Sequence, residues 1–96
     1  MPMNNPAHPG HLVKAELDEL AVSVSAAAEV MGITRQQLYR IIRGESGISA
    51  DMALRLERAI GSTADMWLRM QASYDLARAR MREPALGVRK LERKVA

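Results

Sequence analysis

Ninety-six residues make one domain with a single modest core. Cysteine is absent, which excludes disulfides and thiolate metal sites; phenylalanine is absent too and aromatic residues are 3%, which argues against strands and for helices. The formal charge of +3 is unevenly placed: residues 1–70 carry seven basic side chains against eight acidic, and residues 71–96 carry seven against three. No apolar run is long enough for a membrane span, and MPMNNPAHPG lacks the apolar core of a signal peptide, so a soluble cytoplasmic chain without membrane partners is expected.

Residues 1–8, with two prolines and two asparagines, read as a disordered N-terminus that includes His8. Pro9 suits the first turn of a helix, and Leu12, Glu16, Leu17 and Leu20 follow at helical spacing. Ser23 is the expected cap of a second helix, Val24 to Met31, with Ala27, Ala28 and Met31 facing inward and Gly32 ending it in the left-handed region. Thr34 with Gln37 three residues later forms a capping-box pattern that opens a third helix. Leu38, Ile41 and Ile42 fall on its inner side, and the helix ends near Gly44. Ser49 caps a fourth helix with the stripe Met52, Ala53, Leu56, Ala59 and Ile60, closed by Gly61. Thr63 caps a fifth that runs to about Arg82, with Pro84 just beyond. The resulting expectation is an all-α, five-helix domain over residues 9–82, with an extended last helix and a basic tail over residues 83–96. The tail either forms a short frayed helix or stays disordered.

Arg35, Gln36, Tyr39, Arg40 and Arg43 share the outer face of the third helix. Two short helices meeting at a tight corner, the second carrying such a face, are the arrangement that enters a DNA major groove. Gln36 suits bidentate pairing with adenine, near the end that enters first. Arg35 and Arg40 fit either guanine or phosphate, Tyr39 fits a thymine methyl or phosphate, and Arg43 fits phosphate. Ser23 and Thr34, at helix starts, complete the DNA-facing set. In the fifth helix, Met66, Trp67, Met70, Tyr74, Ala77 and Met81 line one side, and Leu68, Ala72, Leu76 and Ala79 another. A helix apolar on two faces in so small a chain implies a homodimer, unless both faces are spent internally. His8 and His11 lack a third ligand at metal-site spacing, Glu16, Asp18 and Glu19 lack an apolar pocket, and no glycine-rich phosphate loop is present. No catalytic role, metal or cofactor is expected.

The chain also resembles the HigA family of antitoxins, within the lambda-repressor-like (Xre-type) helix-turn-helix proteins. HPGHLVKAEL is similar to the family's opening, GITRQQLYRIIRGESGISADMALRLERAIG to its helix-turn-helix and following helix, and STADMWLRMQASYDLARA to its last helix. The resemblance implies a lambda-repressor-like fold and a dimer bound to an inverted-repeat operator. It further implies repression of its own operon and neutralisation of a small RelE-like toxin that cleaves messenger RNA. It assigns DNA contacts to Arg35, Gln36, Tyr39, Arg40 and Arg43, and the dimer interface to the helix-five stretch around Trp67 to Leu76; with the apolar side of that helix, the expected interface is Trp67, Leu68, Ala72, Leu76 and Ala79. Val24 departs from the family's usual glutamine and can make no side-chain bond to phosphate, so either that contact is lost or the helix-two amides supply it. Ala64 and Met66 stand where the family often has proline and an aromatic residue. The competing readings are a stand-alone transcriptional regulator and a protein-interaction domain that has lost DNA binding.

Overall fold

The computed structural model describes residues 6–92, and these residues form five α-helices in the expected order. They are α1 (Pro9–Glu19), α2 (Val24–Met31), α3 (Arg35–Ile42), α4 (Ala50–Ala59) and α5 (Ala64–Met81). Every helix starts on a side-chain cap. Ser23, Thr34, Ser49 and Thr63 accept hydrogen bonds from the amides of Ala26, Gln37, Met52 and Met66 at 3.0–3.1 Å. Thr34 and Gln37 complete a reciprocal capping box, since Gln37 Oε1 accepts from the Thr34 amide at 2.8 Å.

The corner between α2 and α3 is made by Gly32, whose φ of 70° lies in the left-handed region. The amides of Gly32 and Ile33 turn back onto Glu29 and Ala28. Arg55 on α4 locks this corner from outside. Its guanidinium donates to the Met31 carbonyl at 2.7 Å while Nε holds Asp51 at 2.9 Å. The helix pair is therefore tied to the fourth helix by a polar clamp as well as by packing.

One core unites the helices: Val13 and Leu17 of α1, Ala27, Ala28 and Met31 of α2, Leu38 and Ile41 of α3, Ile48, Ala53 and Leu56, and Ala64 and Trp67 of α5. The α1 register differs from the expected one. Pro9, Gly10, Val13 and Leu17 are buried, whereas Leu20 is exposed. The start of α1 lies hard against α3, which turns the Val13 side inward. Beyond α5, Glu83–Leu86 form a single 3-10 turn, with Pro84 in it, and no regular structure follows through residue 92.

The N-terminal expectation needs correction at His8. The imidazole is buried and caps α1, its Nδ1 accepting from the Gly10 amide at 2.9 Å. Residues 1–5 lie outside the described residues, as do residues 93–96.

Candidate nucleic-acid interface

Because Leu38 and Ile41 are drawn into the core, the opposite face of α3 is left in solvent. Thr34, Arg35, Gln36, Gln37, Tyr39, Arg40, Arg43 and Glu45 line one shallow concavity there. All five outer-face residues read from the sequence are thus brought together. Arg35, Gln36, Arg40 and Arg43 are exposed, and Tyr39 is half-buried because Arg43 stacks its guanidinium 5.1 Å from the ring centroid. That stacking restrains both side chains before any ligand arrives. Gln37 is held by the cap, whereas Gln36 lies outside the cap and is exposed.

The caps of α2 and α3 keep donors of their own, Thr34 within the concavity and Ser23 outside its lining. Ser23 and Thr34 use their hydroxyl oxygens as acceptors for backbone amides, which leaves each O–H able to donate outward. Both residues are exposed, and Ser23 opens a helix start whose first amides point out of the helix. Val24 is half-buried against the core, so its side chain serves packing.

Glu45 was not singled out by sequence reasoning. It enters the concavity because the chain turns sharply after Arg43, with the Glu45 amide donating to the Arg40 carbonyl at 2.9 Å. It adds one carboxylate to the residues that line the concavity. Gln71 was also missed as a functional position. It is buried on α5, where Oε1 accepts from the Ile48 amide and Nε2 donates to Asp75, both at 2.9 Å. The loop after α3 is thereby fixed to α5.

The residues expected at a dimer interface divide. Trp67 is wrongly placed there: it is wholly enclosed in the chain's own core, with its indole N–H donating to the Gly61 carbonyl at 3.3 Å. The α4–α5 junction consumes it. Leu68 and Ala79 are half-buried, while Ala72 is exposed and Leu76 is 52% exposed. Leu76 and Ala72 remain the free apolar part of α5, continued by exposed Met81 and Leu86.

Among the described residues, no cluster of three or more His, Asp or Glu is arranged to hold a metal ion, and no helix is long and apolar enough to cross a membrane.

Residues 13–67 match the helix-turn-helix family. Virulence-associated protein A' of Dichelobacter nodosus is 46% identical over 76 residues, covering 78% of this chain and 66% of that protein. Antitoxin HigA-1 of Vibrio cholerae is 34% identical over 89 residues, covering 90% of this chain and 84% of that one. The solved Pseudomonas aeruginosa antitoxin HigA, in complex with the higBA promoter, superposes with a TM-score of 0.79 at 34% identity. That superposition covers 86% of this chain and 92% of the other.

Proposed function

Since the chain belongs to the helix-turn-helix family and groups within it with the HigA antitoxins, we propose that it is the DNA-binding antitoxin of a toxin–antitoxin module. As a homodimer it binds an inverted-repeat operator and represses its own operon, and it neutralises a RelE-like, messenger-RNA-cleaving toxin in the cytoplasm. It has no catalytic role of its own. The observation that carries this reading is the α3 face, where Arg35, Gln36, Tyr39, Arg40 and Arg43 stand together on a helix capped at its entering end.

In the mechanism, the two α3 helices of the dimer enter successive major grooves about 34 Å apart. Gln36 presents an amide for adenine N6/N7, and Arg35 and Arg40 reach guanine or the flanking phosphates. Arg43, Ser23, Thr34 and the first amides of α2 hold the backbone and set the register. Ala72, Leu76 and Ala79, with Leu68 at their edge, join the two copies along α5. Trp67 supports that helix from inside.

The test is a reporter driven by the chain's own promoter, with the chain supplied separately, together with co-expression of the neighbouring small basic open reading frame. Repression of the reporter and relief of the neighbour's growth arrest are expected. A reporter unaffected by the chain would contradict the autorepressor; an unrelieved arrest would contradict the antitoxin role.

A further inference from the structure

The reading face of α3 depends on where the helix sits, and its last turn is braced from two sides by residues that do not belong to that face. Gly10, at the start of α1, lies so close to α3 that a Cβ on it would stand 1.8 Å from the Ile41 carbonyl oxygen and 2.8 Å from the carbonyl carbon. Both obstacles are backbone, so no side-chain adjustment relieves them. Only glycine permits this approach.

His8 completes the brace. Its ring caps α1 through Nδ1, sits edge-on to Tyr74 of α5 with centroids 4.8 Å apart, and passes Gly44 at the end of α3. A Cβ on Gly44 would meet His8 Cγ at 3.5 Å. Pro9 between them is buried. On the far side of the same loop, Gln71 holds the Ile48 amide. The three-residue segment is therefore a wedge between α5 and the last turn of α3.

We propose that His8, Pro9 and Gly10 are positioning residues for nucleic-acid reading: they set the depth and tilt of α3 relative to α5 without touching the nucleic acid. This rests on the DNA-binding reading above. Bidentate pairing by Gln36 or an arginine tolerates displacements of only about 0.5 Å. In a dimer joined along α5, the angle between α5 and α3 also sets the separation of the two reading heads. A segment that fixes that angle governs selectivity for the operator while leaving general attraction to phosphate unchanged.

Three variants test this: Gly10→Ala, His8→Ala and His8→Asn, the last retaining a cap acceptor but losing the ring. Each is melted first, and binding to operator and scrambled duplexes is then measured well below its own midpoint. Amide chemical shifts of residues 35–48 are recorded alongside. Folded Gly10→Ala is expected to lose on the order of tenfold in operator affinity, the equivalent of one misplaced bidentate contact. Its affinity for scrambled DNA should change by less than about twofold, because phosphate attraction depends on charge. Amide shifts should move along α3 as far as Gly44. His8→Asn is expected to restore the melting midpoint lost in His8→Ala but not the operator selectivity, which a purely structural role would not produce. Folded Gly10→Ala and His8→Asn proteins with unchanged selectivity would overturn the proposal. If the parent chain itself does not discriminate operator from scrambled DNA, the DNA-binding reading falls. The positioning claim is then overturned independently by unchanged α3 shifts in Gly10→Ala.

Discussion

Gln36 and Arg43 stand on the same exposed face but are expected to act differently. Gln36→Ala should relax preference at one adenine at a cost of about 1–3 kcal/mol, with little change on random DNA. Arg43→Ala should weaken specific and random duplexes alike and reduce the salt slope by about 1. Base-substituted duplexes titrated at several salt concentrations separate the two; equal losses for Gln36→Ala on both DNAs would remove its base-reading role. His8 carries a pH dependence. Burial is the main cause that lowers its pKa from 6.5 and His11 adds to it, against Asp75 and a backbone hydrogen bond with Ser46. The unfolded chain therefore takes up the proton at a higher pH than the folded one. The stability contributed by neutral His8 is complete above about pH 6.5 and declines as pH falls through the folded pKa. Protonation also removes the Nδ1 acceptor that caps α1. Urea melts at pH 7.5 and 5.5 should show a larger loss in the parent than in His8→Asn; equal losses would contradict this. Cap residues such as Ser23 and Thr34 were legible in the sequence because their partners lie three residues away. His8, Gln71 and Trp67 were not, because their partners on α5, on the loop after α3 and at Gly61 are set only by the tertiary fold.

At the scale of the helices, the end of α1 holds an avoidable cost. Ala21 takes φ 57° where the Val22 amide reaches back to the Leu17 carbonyl at 3.0 Å, a position that favours glycine. Ala21→Gly is expected to stabilise the chain by up to about 1 kcal/mol, measured by urea unfolding. A destabilisation would show that the left-handed strain is already compensated. On α5, Leu76→Asp should abolish the dimer while leaving the melting midpoint of the monomer intact, as read by light scattering and circular dichroism. A dimer that survives would place the interface elsewhere. Helix order and ends were readable because α2, α3, α4 and α5 each start on a hydroxyl cap, and α2, α3 and α4 are also closed by a following glycine. The α1 register was not readable: Leu12 and Val13 are adjacent apolar residues, and the close approach of Gly10 to Ile41 goes with a fully buried Val13 and a Leu12 only partly buried against the core. The two-faced α5 also misled at Trp67, since periodicity distinguishes faces but does not say which one the chain's own α4 will take.

For the molecule as a whole, net charge is a weak guide, because Arg35, Arg40 and Arg43 are collected on one exposed helix face by the burial of its other side. Residues 1–70, with a slight acidic excess, still collect three arginines on the outer face of α3, and the basic residues after residue 70 are expected to add attraction without sequence preference. Operator-selective binding through α3 is read by titrating the purified chain onto its own promoter and onto a scrambled duplex of equal length at two salt concentrations. Tight binding to the promoter alone is expected, with one dimer per inverted repeat and selectivity that persists at the higher salt. Equal, weak binding to both duplexes, abolished together by salt, would contradict it.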